Sequence, residues 1–167
     1  AIYSLERGQT TYTSNYGLLE LRREIAKYLK KRYSVEYNPD SEILVTVGVS
    51  EGLDLAMRVL LNPGEEVLVP EPCYVSYKPC VALAGGVPVS VETRSDAKFA
   101  VTAEQLKAAC TSKTKAVLLG YPSNPTGAVL SREHIVDIIS FARERGLYVI
   151  SDEIYDRLTY DGIHTCV

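Results

Sequence analysis

Only two histidines, His134 and His164, stand in the 167 residues, and the four cysteines, Cys73, Cys80, Cys110 and Cys166, include no C-x-x-C pair. A metal centre therefore lacks ligands at usable spacing, and a disulfide framework lacks its regular pattern. Positive charge is not in excess either: 18 Lys and Arg against 21 Asp and Glu give a formal net charge of −3. Without a basic stripe there is no footprint for a nucleic-acid backbone or an anionic lipid surface. No apolar run approaches the roughly 20 residues that span a bilayer, and "AIYSLERG" lacks the charged-then-apolar layout of a secretion signal. These absences set the expectation of a reducing, cytoplasmic setting with no nucleic-acid or membrane partner and no metal. The dinucleotide fingerprint G-x-G-x-x-G and the P-loop lysine are also missing, which counts against a nicotinamide-binding domain.

What the sequence does hold is the composition of a globular domain, with 46% hydrophobic and 23% charged residues. Helical and strand patterns alternate along it. "GLLELRREIAKYLKKRY" sets Leu18, Leu21, Ile25 and Leu29 three or four apart, the stripe of an amphipathic helix. "EILVTV" reads as a strand, and "SEGLDLAMRVLL" resumes helical spacing with Ser50 as its N-cap and "NPG" as its stop. "EVLVP" and "VPVSVE" read as strands on either side of a helix around Pro79. "TAEQLKAA" opens with Thr102 and Gln105 in capping-box register, "KAVLLG" is a strand, "SREHIVDIISFARERG" a helix closed by Gly146, and "LYVIS" a further strand.

This order predicts an α/β fold in three layers, a mostly parallel sheet flanked by helices, because parallel neighbours need crossover helices and strands buried on both faces read as continuous apolar runs. Ligands in such folds sit beyond the carboxyl ends of the strands. The segments found there are "GVSEG", "EPCYVSY", "YPSNPTG" and "DEIYDRL". Each alone has a plain reading. "GVSEG" can be a strand-to-helix turn, Tyr74 a packed aromatic, Asp152 and Glu153 a cap or solvated acids, and Asn124 a turn former. Together, an anion cradle, an aromatic, an amide and a carboxylate match one small, planar, phosphorylated, cationic ring, and pyridoxal phosphate is such a ring.

On "YTSNYGLLELR", "VTVGVSEGLDLA", "VPEPCYVSYKP", "YPSNPTGAVLS" and "VISDEIYDRLTY", the chain resembles class I/II aminotransferases of the aspartate aminotransferase fold type, fold type I of the pyridoxal-phosphate enzymes. The resemblance implies that Asp152 faces the pyridine nitrogen, that Tyr155 and Asn124 donate to the ring's phenolate oxygen, and that Tyr74 lies over the ring face. It implies a phosphate site at Val49 and Ser50, and that Tyr12 reaches the phosphate of a partner subunit in a homodimer. Asn124–Pro125 is the candidate cis peptide. The implied activity is transfer of an amino group from an amino acid to a 2-oxo acid in amino-acid metabolism and biosynthesis. Runners-up are a carbon–sulfur lyase of the same fold and an aminotransferase-like sensor domain of a transcription regulator. The Schiff-base lysine that the resemblance requires has no match: Lys113 and Lys115 precede "AVLLG" at its wrong end, and Lys78 and Lys98 lack the context. Residues 1–167 are therefore expected to form part of a large pyridoxal-phosphate-binding domain, without the N-terminal arm, the lysine segment or the C-terminal small domain, and without turnover of their own.

Overall fold

A computed structural model describes residues 1–161 and 163–167, which divide into two compact units, 1–47 and 48–167. The first unit carries α1 (Ile2–Glu6) and α2 (Leu19–Tyr33). The amphipathic helix expected near residues 17–33 is α2, and Ser34, with φ of 60°, ends it in the left-handed region. Its apolar stripe is only half-buried at Ile25 and Leu29, and the one fully buried side chain of α2 is Arg22, whose guanidinium donates to the Pro39 carbonyl and lies 5.7 Å from the centre of the Tyr16 ring. "EILVTV" is not a strand, contrary to expectation. A strand is defined by its ladder, and among the described residues this run has no strand beside it; Val45 N–H donates to the Tyr16 carbonyl at 3.1 Å instead.

The second unit begins with α3 (Gly48–Leu60) and continues through β1 (Glu66–Glu71), α4 (Tyr77–Leu83), β2 (Val87–Glu92), α5 (Ala103–Ala109), β3 (Thr114–Gly120), α6 (Arg132–Arg145) and β4 (Tyr148–Asp152). The four strands form one sheet in the order β2-β1-β3-β4, parallel throughout. This is the parallel α/β architecture that the alternation predicts. Local chemistry sets the helix ends. Pro79 stands in the first turn of α4, where its missing N–H costs nothing. Thr102 and Gln105 make both halves of the capping box on α5. Ser131 caps α6, and Gly146 closes it at φ of 65°, a conformation that suits glycine.

Side chains of adjacent strand residues point to opposite faces, so each central strand feeds two cores. Val67 and Val69 of β1 and Ala116 and Leu118 of β3 pack with Leu53, Met57 and Val81 of α3 and α4. Leu68, Val117 and Leu119 pack on the other side with Leu106, Ile138 and Phe141 of α5 and α6. A fully buried leucine such as Leu118 contributes about 1.5–3 kcal/mol. The connection leaving β1 thus carries its helix to one face, and those reaching and leaving β3 carry theirs to the other. Adjacent strands whose connections diverge in this way leave a crevice at their carboxyl ends.

Candidate functional site

The crevice is a cavity of about 200 Å³ at the carboxyl end of the sheet, lined by residues from four separate segments: Val49 and Ser50, Tyr74 and Tyr77, Pro122 and Asn124, and Asp152 with Ile154 and Tyr155. Six of the seven residues singled out from the sequence are therefore brought together in one place. The seventh, Tyr12, belongs to the first unit, where its side chain is fully exposed.

Each wall has a local cause. Gly48, at φ of 74°, takes the left-handed turn into α3, which leaves Val49 in ordinary backbone space. The helix starts at Gly48, so Ser50 lies within the first turn rather than at the N-cap expected for it. That shift follows from the glycine, which lets the chain turn three residues sooner. The amide groups of a helix's first turn have no intrahelical acceptor and carry the positive end of the helix dipole, so this wall suits an anion. Tyr74 stands edge-on to Tyr77 with ring centres 5.6 Å apart at 78°. Hydrogen bonding with the hydroxyls of Ser76 and then Ser50 draws the pKa of the Tyr74 phenol below its ordinary range.

The turn after β3 is tied across itself: Ser123 N–H donates to the Ala128 carbonyl and Gly127 N–H to the Ser123 carbonyl, both at 2.8 Å. Asn124–Pro125 is cis, as expected from the sequence, and so are Tyr121–Pro122 and Glu71–Pro72. Asp152, the last residue of β4, accepts the Tyr77 hydroxyl on Oδ2 at 2.8 Å and the Ile154 N–H on Oδ1 at 3.2 Å. Tyr77 is thus a site residue that sequence reasoning missed. It sits in "EPCYVSY", beyond the strand end already under suspicion, but nothing local shows which of the two tyrosines reaches across the sheet.

Glu153, the neighbour of Asp152, faces the other way. Its carboxylate accepts the Ser151 hydroxyl at 2.8 Å, the Val167 N–H at 3.1 Å and the Cys166 thiol at 3.4 Å, and it pairs with His164 Nε2 at 2.6 Å. It is neither a cap nor a solvated acid. No lysine lines the cavity among the described residues. Lys113 and Lys115 lie at the amino end of β3, Lys78 is paired with Glu71 at 2.8 Å, and Lys98 follows a 3-10 turn with φ of 52°. Among the described residues, no cluster of histidine, cysteine and carboxylate side chains is able to hold a metal ion, and no helix is long and apolar enough to cross a membrane.

The chemistry of the lining fits pyridoxal phosphate: a helix N-terminus for a phosphate, an aromatic ring for a face, an amide and a phenol for an oxyanion, and a carboxylate for a cationic nitrogen. Comparison with known proteins points the same way. A family model described as "Aminotransferase class I and II" matches residues 4–165. The chain is 52% identical over all of its 167 residues to YugH of Bacillus subtilis (strain 168), a protein that carries an aminotransferase name, and covers 43% of it. It is 47% identical over 162 residues to the aspartate aminotransferase of Bacillus sp. (strain YM-2), which takes in 97% of this chain and 41% of that protein. Among solved structures, the aromatic aminotransferase from Pyrococcus horikoshii OT3 superimposes with a TM-score of 0.96 at 43% identity, over 99% of this chain and 44% of that one. The chain thus spans less than half the length of the relatives it matches.

Proposed function

The chain belongs to the class I and II aminotransferases, and we propose that it carries the pyridoxal-phosphate-binding part of an enzyme that moves an amino group from an amino acid to a 2-oxo acid. The observation that carries this reading is the convergence of Asn124, Asp152 and Tyr155 with the start of α3 on one cavity. In this reading, residues 1–167 are part of the large domain, and the protein works as a cytoplasmic homodimer to which Tyr12 contributes.

When bound, pyridoxal phosphate supplies an electron-accepting ring for the pair of electrons released at the substrate Cα. The residues of this chain hold and polarise it. Asp152 accepts the hydrogen bond of the ring N–H and keeps that nitrogen cationic through a charge-assisted contact. The Tyr155 hydroxyl and the Asn124 amide donate to the ring oxygen and favour its anionic form. Tyr74 covers one face, where offset stacking adds about 0.5–1.5 kcal/mol beyond burial. The amide groups of Val49 and Ser50, with the Ser50 hydroxyl, take the phosphate. With no lysine lining the cavity among the described residues, binding and orientation are assigned to these residues, and proton transfer at Cα is not.

An absorbance titration of the 167-residue chain with pyridoxal phosphate, followed by borohydride reduction and mass analysis, tests this. Saturable binding without a single modified lysine is expected, weakened by about ten-fold or more in Asp152→Ala, the worth of one charge-assisted contact. Absence of binding at millimolar cofactor, or equal binding by Asp152→Ala, overturns the assignment.

A further inference from the structure

Both oxygens of Asp152 are already engaged by the protein, and the donors come from opposite directions in the sequence. The Ile154 N–H reaches back two residues to Oδ1, whereas the Tyr77 hydroxyl reaches Oδ2 from the first turn of α4, 75 positions away. Tyr77 is 5% exposed. Burial first, and then the charge of Asp152 and the bond to it, push the phenol's pKa far up, so the hydroxyl keeps its proton and acts toward the carboxylate only as a donor.

The path of this hydroxyl is set by a missing atom. Gly120 is the cross-strand partner of Asp152 in the parallel β3–β4 ladder. A Cβ at position 120 would lie 2.2 Å from the Tyr77 hydroxyl oxygen and 2.8 and 2.9 Å from two of its ring carbons. The tyrosine therefore occupies the volume that a side chain at 120 would fill. Tyr74 borders the same ring on another side.

We infer that Gly120 and Tyr77 are a positioning pair for Asp152: the glycine opens a slot on the sheet, and the phenol passes through it to fix the rotation of the carboxylate toward the cavity. This rests on the reading of the cavity as a pyridoxal-phosphate site. A carboxylate held by a single donor can turn about its Cβ–Cγ bond. One held on each oxygen by a separate donor cannot, and each oxygen still keeps a lone pair for a ligand. The ligand group that such a fixed carboxylate recognises is the N–H of a cationic heteroaromatic ring, so Tyr77 acts on the cofactor only through Asp152.

That dependence separates positioning from mere packing. The probes are pyridoxal phosphate and its analogue with carbon in place of the ring nitrogen, titrated against the unaltered chain, Tyr77→Phe and Gly120→Ala. Tyr77→Phe keeps the ring in the core and removes only the donor. The unaltered chain should prefer pyridoxal phosphate to the carbon analogue by roughly ten-fold, and Tyr77→Phe should erase most of that preference while leaving affinity for the analogue unchanged. Gly120→Ala should do the same, with no further loss in the double variant, because both changes remove one contact. Should Gly120→Ala fail to fold, as judged by circular dichroism, Tyr77→Phe alone decides the outcome. If the unaltered chain shows the preference and Tyr77→Phe weakens both ligands equally, or neither, the positioning role is overturned while the cofactor site stands. If the unaltered chain binds neither ligand, or both equally, the reading of Asp152 as the partner of the ring nitrogen fails, and this inference with it.

Discussion

Replacing Glu153 by alanine removes an acceptor that four groups share. Of those groups His164 matters most, since its side chain is 8% exposed, whereas Ser151 and Val167 are exposed enough to turn to water. Burial alone would push the Glu153 carboxyl up, but its donors, His164 foremost, outweigh it and hold the group below the ordinary glutamate range. Breaking a buried pair by removing one partner costs about 3–5 kcal/mol; the resolvated donors place Glu153→Ala at the low end, about 3 kcal/mol. At this chain length that corresponds to a fall in Tm of roughly 6–12 °C. The pH dependence has a definite sign. A carboxyl whose folded pKa is depressed contributes stability that is fully present above its unfolded pKa and lost as pH falls through the folded one. Urea denaturation of the unaltered chain and of Glu153→Ala should therefore show a gap at pH 7 that closes below the ordinary glutamate range. Glu153→Gln, which keeps an acceptor for Ser151 and Val167, should fall between the two. A gap under about 1 kcal/mol at pH 7, or one that persists unchanged into acid, would mean that the Glu153–His164 pair does not hold this end of the chain.

Three further outcomes are expected. Thr102→Ala removes the oxygen that accepts the Gln105 N–H and should cost about 1 kcal/mol in urea denaturation without altering cofactor binding. Gly86→Ala places a Cβ 2.7 Å from Leu61 Cδ1 and 3.1 Å from both the Glu65 carbonyl oxygen and Val81 Cγ1, so it should destabilise by about 1–3 kcal/mol and lower Tm in a calorimetric scan. The Cys166 thiol is pushed up to about 12 by burial first and the Glu153 carboxylate second, so at pH 8 it should resist iodoacetamide. Peptide mass mapping should find it alkylated faster once Glu153→Ala removes the neighbouring charge.

What could be read in advance follows the range of the forces involved. The strands at 66–71 and 114–120 were legible because burial on both faces writes a continuous apolar run, the half-buried edge strands at 87–92 and 148–152 because they are rich in β-branched residues, and the ends of α5 and α6 because caps are local chemistry. The run at 42–47 misled because β-branched residues express a strand only beside a partner, and partnership is not encoded in the run itself. Ser50 was misplaced by three positions because the glycine ahead of it, and not the serine, starts α3. The four segments that wall the cavity stood out by their position after expected strands, although the run ahead of Val49 and Ser50 is no strand, and the family resemblance then singled out six residues within them. Tyr77 escaped because its role depends on a contact across 75 residues and on an atom that Gly120 lacks.

The alternation of faces along β4 has a consequence for how this protein can change over evolutionary time. Val149 packs with the α5–α6 core, Ile150 with the α3–α4 core, Ser151 with Glu153 on the first side, and Asp152 opens to the cavity with Tyr77 on the second. The dipeptide Asp152–Glu153 is anchored on both surfaces of the sheet at once. An insertion or deletion of one codon there would exchange the two carboxylates, presenting to the cavity the acid whose donors lie on the other side. Lineages descending from this sequence should therefore vary these positions by substitution, and confine changes of length to the loops beyond.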